Sequence, residues 1–149
     1  MTTHTPTFPV NPGQAAAQLI REHQRDPEWL DKFSDALDRR RQAKALARIM
    51  EVWGLSRSEL GRRFGVSRQA VAKWLRDGIP VERAEAIADL SAATDILTHY
   101  LRRDRIAAVV RRSVAEQDGY SLVEMLGAGR HREILTTCRD MFDFAHVQG

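Results

Sequence analysis

The clearest pattern of apolar and polar positions lies between Ser56 and Arg76, where it predicts two short helices separated by a glycine. Leu60 and Phe64 stand four residues apart, which places both on one face of the first helix. Ser56 is of the residue type that caps a helix, and Glu59 three positions later completes the signature of a capping box. The first helix is therefore expected to begin directly after Ser56.

The second helix of this stretch is predicted to follow Gly65, which can adopt the left-handed conformation that ends a helix. Ser67 is a second N-cap candidate, and Gly61 on the first helix leaves room for another helix to approach closely. Apolar side chains predicted to be buried on the second helix are Val71, Trp74 and Leu75, and the outward-facing residues are Arg68, Gln69, Ala72 and Lys73.

Ordinary core packing is one interpretation of two helices joined at a glycine, because such pairs are common in helical proteins. The small residue at position 61, the glycine at 65, the aliphatic residues at 66 and 71 and the basic outer side together favour a helix-turn-helix whose second helix enters the DNA major groove. Under this interpretation the base-reading residues are Ser67, Arg68, Gln69, Ala72 and Lys73, and the phosphate-binding residues are Arg57, Arg62, Arg63 and Arg76.

The distribution of charge supports an interaction with phosphate. The chain of 149 residues has a net charge of only +3, but residues 39–83 hold twelve Lys or Arg and four Asp or Glu, a net +8. The rest of the chain carries −5, and residues 1–38 carry three basic and six acidic side chains. We therefore expect DNA contacts from residues 39–83 and none from the first 38.

Apolar residues recur at helical spacing along the chain, and no period-two alternation appears, so the predicted fold class is all-α. Three segments are expected: an N-terminal arm over 1–38, a helix-turn-helix bundle over 39–101 and a small helical domain over 102–149. In the arm, residues 1–13 are predicted to be disordered or extended, and helices are expected over 14–24 and from Pro27, with Asp26 as N-cap. The pattern leaves open whether the helix from Pro27 continues to Trp53.

The last segment should hold three helices. Ile106, Val109, Val110 and Val114 lie at helical spacing before a turn at residues 117–119, and Ser121 with Glu124 forms a second capping box. A final helix carries Ile134, Leu135, Cys138, Met141 and Phe142 on its apolar side, and the tail over 142–149 is expected to carry exposed aromatics near a flexible end.

The C-terminal sequence RIAAVVRRSVAEQDGYSLVEML, followed by GRHREIL and MFDF, resembles the toxin-binding domain of Xre/MbcA/ParS-type antitoxins. The resemblance covers about residues 43–144 and includes the helix-turn-helix. It implies a homodimeric repressor that binds its own operator and neutralises a RES-type toxin, an enzyme that consumes NAD. It also implies a partner surface near the C-terminus, for which the candidates are Met141, Phe142, Phe144 and Val147.

Other functions stay open at this point. A stand-alone chromosomal or prophage repressor would use the same C-terminal segment only to dimerise, and a structural adaptor is a further alternative. An enzyme is not expected, because the five histidines are scattered and no glycine-rich phosphate loop occurs. We therefore predict no catalytic residue, metal or cofactor.

The expected location is the bacterial cytoplasm, with association to the nucleoid when DNA is bound. The chain lacks a signal-like start and any run approaching the roughly 18 apolar residues of a membrane span. Its single cysteine, Cys138, allows no intramolecular disulfide.

Overall fold

The protein is all-α, as predicted. The computed structural model describes residues 11–147, with side chains as far as residue 143. Two short 3-10 turns, at Val81–Arg83 and Ala115–Gln117, interrupt the series of α-helices. Within the described range these helices are α1 (Pro12–His23), α2 (Pro27–Trp53), α3 (Arg57–Phe64), α4 (Arg68–Asp77), α5 (Ala84–Tyr100), α6 (Arg103–Val109), α7 (Leu122–Gly127) and α8 (His131–Val147).

The chain divides into two compact units, Met1–Asp38 and Arg39–Gly149. In the first unit α1 begins at Pro12, so the expectation of an extended or disordered start is wrong for residues 12 and 13, and residues 1–10 lie outside the described range. The Asp26 carboxylate accepts from the Trp29 amide at 3.0 Å, which confirms the predicted N-cap. The rings of His23, Trp29 and Phe33 form a stack, with centroid distances of 3.6 and 5.0 Å.

The second unit is built on one hydrophobic core to which residues on both sides of position 101 contribute. Trp53, at the end of α2, is fully buried, and its indole Nε1 donates to Thr94 Oγ1 on α5 at 3.0 Å. The Thr94 hydroxyl in turn donates to the Leu90 carbonyl at 2.7 Å. The polar atoms of this buried pair are thus satisfied. The largest fully buried side chains are Trp53, Leu46, Ile49, Leu60, Ile87, Leu90, Leu97, Ile106, Leu122, Met125, Ile134 and Val71.

Arg111 joins the end of α2 to the beginning of α3. Its guanidinium donates to the carbonyls of Trp53 and Gly54 at 2.7 and 2.9 Å, and to the Glu59 carboxylate at 3.1 Å. Carbonyls at the end of a helix lack partners within that helix. Arg111 therefore supplies donors to the α2 terminus and holds the first turn of α3 beside it.

The boundary of a further helix, α6, differs from its prediction. The helix expected to reach the turn at 117–119 ends at Val109, because the Val110 carbonyl accepts from the Val123 amide at 3.0 Å and the Val114 amide bonds to Tyr120 instead. The tail over 142–149, expected to lie near a flexible end, is helical as far as Val147, and residues 148 and 149 lie outside the described range. The sequence left open whether the helix that begins at Pro27 continues to Trp53. The structure shows that α2 runs unbroken to Trp53, and no proline or glycine occurs in it after Pro27.

Asp89 joins α5 to α8 by accepting from two side chains. His131 Nδ1 lies 2.7 Å from Asp89 Oδ2, and Arg132 Nε donates to the same oxygen at 3.1 Å. Burial acts to raise the pKa of Asp89, but the hydrogen bonds from His131 and Arg132, together with their charges, outweigh it and lower the pKa. The ionised carboxylate is therefore the form that the folded protein stabilises.

We predict that Asp89→Asn lowers the free energy of unfolding by about 1–3 kcal/mol at neutral pH, because two donors lose a charged acceptor. A carboxyl whose pKa is lowered on folding stabilises the fold above its unfolded pKa, and this contribution disappears as the pH falls through the folded value. Urea unfolding of the wild-type protein should thus show a loss of stability below about pH 5 that is smaller in the variant.

Asp95→Asn provides the control, since Asp95 pairs with Arg48 at an exposed site and should contribute at most about 1 kcal/mol. An Asp89→Asn protein with the same acid dependence as the wild type would contradict this role of Asp89.

Candidate nucleic-acid interface

The α3–turn–α4 unit, residues 57–77, has the local structure that its sequence predicts except at Glu59. Ser56 Oγ accepts from the Glu59 amide at 3.1 Å, and Ser67 Oγ accepts from the Ala70 amide at 3.0 Å. Gly65 has a φ of 69° and ends α3. Both N-caps and the left-handed glycine are thus confirmed, whereas the Glu59 carboxylate does not complete the predicted capping box, because it pairs with Arg111.

Gly61 permits a close approach between α3 and the turn that precedes α4. A Cβ at this position would lie 2.7 Å from the Val66 carbonyl oxygen and 3.3 Å from the Ser67 carbonyl carbon. Both neighbouring atoms belong to the backbone and cannot rotate away. A side chain at 61 would therefore displace the turn and change the position of α4 relative to α3.

Arg83, directly before α5, packs on the side of the α3–turn–α4 unit that faces the core. Its guanidinium carbon lies 5.3 Å from the centre of the Phe64 ring and 5.1 Å from that of Trp74. Arg83 also donates to the Phe64 carbonyl at 3.3 Å, which is one of the carbonyls at the end of α3. The two rings themselves meet edge to face at 6.2 Å. This arrangement holds the end of α3, the middle of α4 and the beginning of α5 together.

The outer side of α4 is open to solvent. Val71 and Trp74 are buried and Leu75 packs against the core, while Ala72 is half-buried. Within the described part of the chain, the side chains of Arg68, Gln69 and Lys73 are exposed and form no hydrogen bond or ion pair. Ser67 is also exposed, with its hydroxyl engaged in the helix cap. The helix thus presents two cationic side chains and one amide that have no role in the fold.

The four arginines predicted to bind phosphate occupy different environments. Arg57 and Arg62 are exposed and have no side-chain partner among the described residues. Arg76 is exposed and donates to the neighbouring Asp77 at 3.2 Å. Arg63 is half-buried and lies against α7, where a Cβ on Gly127 would be 3.7 Å from its Cδ. Arg57, Arg62 and Arg76 are therefore better placed than Arg63 to reach a phosphate.

The residues predicted to bind a protein partner lie on α8. Met141 and Phe142 are half-buried and pack against the core, and Phe142 stacks on Tyr100 with ring centroids 4.4 Å apart. Met141 also lines a cleft of about 500 Å³ together with Val114 and Thr137. Side chains at Phe144 and Val147 lie outside the described residues.

The described residues bring together no group of three or more His, Cys, Asp or Glu side chains suited to a metal ion. Cys138 is buried in the core, and burial raises the pKa of its thiol to about 12. Its sulfur is therefore protonated at neutral pH and packs as an apolar group. None of the described helices combines the length and hydropathy needed to cross a bilayer.

Arg83 and Arg111 position the α3–turn–α4 unit, and neither role could be predicted from the sequence. The hydrogen-bond partner of Arg83 lies 19 residues away, and the partners of Arg111 on α2 and α3 lie 52 to 58 residues away, so no local pattern connects them. The sequence shows that residues 39–83 are rich in Lys and Arg. That composition does not distinguish an arginine that supports the fold from an arginine that faces solvent.

Comparison with known proteins shows a similarity in fold. No protein-family model matches the sequence, and no curated protein matches it either. The structure is similar to a chain in the crystal structure of the M. tuberculosis MbcT-MbcA toxin-antitoxin complex, with a TM-score of 0.54 and 20% sequence identity. The similarity covers 66% of this chain and 91% of that chain. At this identity it shows a shared fold.

We predict that Gly61→Ala destabilises the protein by about 1–3 kcal/mol, since the added methyl group overpacks a backbone contact. Gly127→Ala is the matched control, because its Cβ would meet its nearest neighbour at an ordinary 3.6 Å. Urea unfolding of both variants measures the difference. Equal stability of the two variants would show that α3 and the turn are not in close contact.

Proposed function

We propose that this protein is a sequence-specific, double-stranded DNA-binding repressor with an antitoxin-like role. The observation that carries the DNA-binding part is the outer side of α4, where Arg68, Gln69 and Lys73 are exposed and unpaired on a helix whose other side is fixed in the core. A helix held in this way can enter the major groove without unfolding any part of its support.

Base reading is assigned to the beginning of α4. Gln69 can form paired hydrogen bonds with adenine and Arg68 with guanine, and each such pair discriminates by about 1–3 kcal/mol against the wrong base. Ala72 offers a methyl-sized apolar contact. Lys73, one turn after Gln69, is placed at the edge of the reading surface, where it contacts a phosphate and adds affinity without reading a base. Ser67 and the free amides of the first turn of α4 suit a phosphate oxygen.

Arg57, Arg62, Arg76 and, less favourably, Arg63 are assigned to the phosphate backbone. Contacts of this kind set register and affinity without reading sequence, and they make binding depend on salt. The repressor is proposed to act as a homodimer, whose two α4 helices would reach half-sites about 34–36 Å apart on one face of the duplex.

The antitoxin-like role rests on the fold shared with a chain of a toxin–antitoxin complex. The proposed partner is a RES-type toxin, and the proposed contact is the end of α8, where Met141 and Phe142 are only half-buried. Tyr100 adds an exposed aromatic face beside Phe142. The cleft next to Met141 offers a recess that is also lined by the carboxylates of Glu116, Asp140 and Asp143. Exposed aromatic and methionine side chains are enriched at protein interfaces.

We predict that Gln69→Ala and Lys73→Ala weaken DNA binding in different ways. Gln69→Ala should reduce discrimination at one base pair by a factor of about 5 to 150, corresponding to the loss of about 1–3 kcal/mol. Lys73→Ala should weaken binding to matched and scrambled duplexes alike and lower the salt slope by about 1. Fluorescence anisotropy titrations with both duplexes at several salt concentrations measure these effects. An equal loss for matched and scrambled DNA in Gln69→Ala would contradict a base-reading role.

We predict that co-expression of this protein rescues the growth of cells that express a RES-type toxin from the neighbouring gene. Arg68→Ala combined with Gln69→Ala should retain the rescue, because α4 is assigned to DNA and α8 to the toxin. Phe142→Ala should lose it while the protein remains folded by circular dichroism. If the wild-type protein gives no rescue although the toxin is active, the antitoxin role is wrong, and the stand-alone repressor accounts for the DNA-binding surface.

A further inference from the structure

A group of basic side chains on α2 carries charges that neither the fold nor the interface described above uses. Arg39, Arg40 and Lys44 are exposed, and within the described residues they form no side-chain hydrogen bond or ion pair. Arg48, one turn further along, pairs with Asp95 at 2.6 Å. The three unpaired cations thus differ from a neighbour that the fold does use.

This part of α2 lies directly against the end of α4. A Cβ on Gly78, the residue that follows α4, would be 2.6 Å from Arg39 Cβ and 3.1 Å from Arg39 Cγ. Two grooves meet at this contact, both lined by Asp77 and Gly78. The first groove, of about 360 Å³, also contains Arg39 and Lys73, and the second, of about 240 Å³, also contains Arg40, Lys44 and Arg76.

Small side chains in the wall of the second groove leave its charged side chains accessible to a ligand. Ala43 and Ala47 line it from α2, and both have side chains of a single methyl group. A chain of phosphates could therefore approach α2 closely between Arg40 and Lys44. Of the residues that line either groove, Asp77 is the acidic one, and it already accepts from Arg76 at 3.2 and 3.3 Å.

Five cations around two grooves repel one another, and one engaged carboxylate offsets little of that repulsion. Arginine and lysine in such an arrangement bind phosphate oxygens, and binding releases counterions condensed on the nucleic acid. The end of α4 that carries Lys73 and Arg76 continues into these grooves, so a duplex that receives α4 would also have backbone next to them.

We propose that Arg39, Arg40 and Lys44 form a second phosphate-binding strip, which holds the DNA backbone alongside the end of α4. This strip rests on the proposed DNA-binding function and extends it to residues outside the α3–turn–α4 unit. Its ligand is the phosphodiester backbone, so the strip contributes affinity and salt dependence and reads no base.

The test is a set of anisotropy titrations of the full-length protein against a duplex from its own upstream region and a scrambled duplex, over a range of salt concentrations. Each of Arg40→Gln and Lys44→Gln should lower the slope of log K against log salt by about 0.9, and the double variant by about 1.8. The ratio of affinities for the two duplexes should stay unchanged. Arg40→Lys keeps the charge and should keep the wild-type slope.

Arg139→Gln is the matched control, because it removes one exposed positive charge from α8, outside the residues that line the grooves. Slopes of the α2 variants equal to that of the wild type, or a loss equal to that of Arg139→Gln, would overturn the strip and leave the DNA-binding function standing. A wild-type protein that binds neither duplex at low salt would overturn both.

Discussion

The position of α4 depends on a close backbone contact at Gly61. With no Cβ there, the carbonyl of Val66 can lie directly against α3, and the turn then delivers Ser67 to the beginning of α4 as its cap. Val71 and Trp74 follow at helical spacing and enter the core, which leaves the opposite side of the helix in solvent. The contact at Gly61 thus sets the orientation of α4, and with it which of its side chains are buried and which face solvent.

Contacts elsewhere in the second unit hold α3 and α4 against α2 and α5. Arg111 ties the end of α2 to the first turn of α3, and Arg83 ties the end of α3 to α5 across two aromatic rings. The buried hydrogen bond between Trp53 and Thr94 joins α2 to α5. Four basic or polar side chains are therefore used inside the fold. Arg68, Gln69 and Lys73 on the outer side of α4 have no partner among the described residues, which fits a surface that meets DNA.

Short-range features of this structure could be predicted from the sequence because their causes lie within a few residues. The caps at Ser56, Ser67 and Ser121, the left-handed Gly65 and the helical class of the chain all follow from local side-chain chemistry. The buried and exposed sides of α4 follow from spacing. The site residues could be named for the same reason, although their contact with DNA and the partner surface on α8 stay predictions.

Features that depend on distant residues could not be predicted. Glu59 was assigned to its own helix cap, but its carboxylate bonds to Arg111, 52 residues away. The early end of α6 follows from the backbone hydrogen bond between Val110 and Val123, which no local sequence pattern predicts. Arg63 and Arg39 look alike in sequence, yet the first packs beside α7 and the second faces a groove beside α4.

The most direct test of the central claim is dimethyl sulfate protection of a duplex from the region upstream of the gene, with the purified full-length protein at low salt. This reagent methylates guanine N7, which lies in the major groove. If α4 enters that groove, guanines in two half-sites about one helical turn apart should be protected. Absence of binding, or binding that leaves every guanine N7 reactive, would contradict the placement of α4 in the major groove.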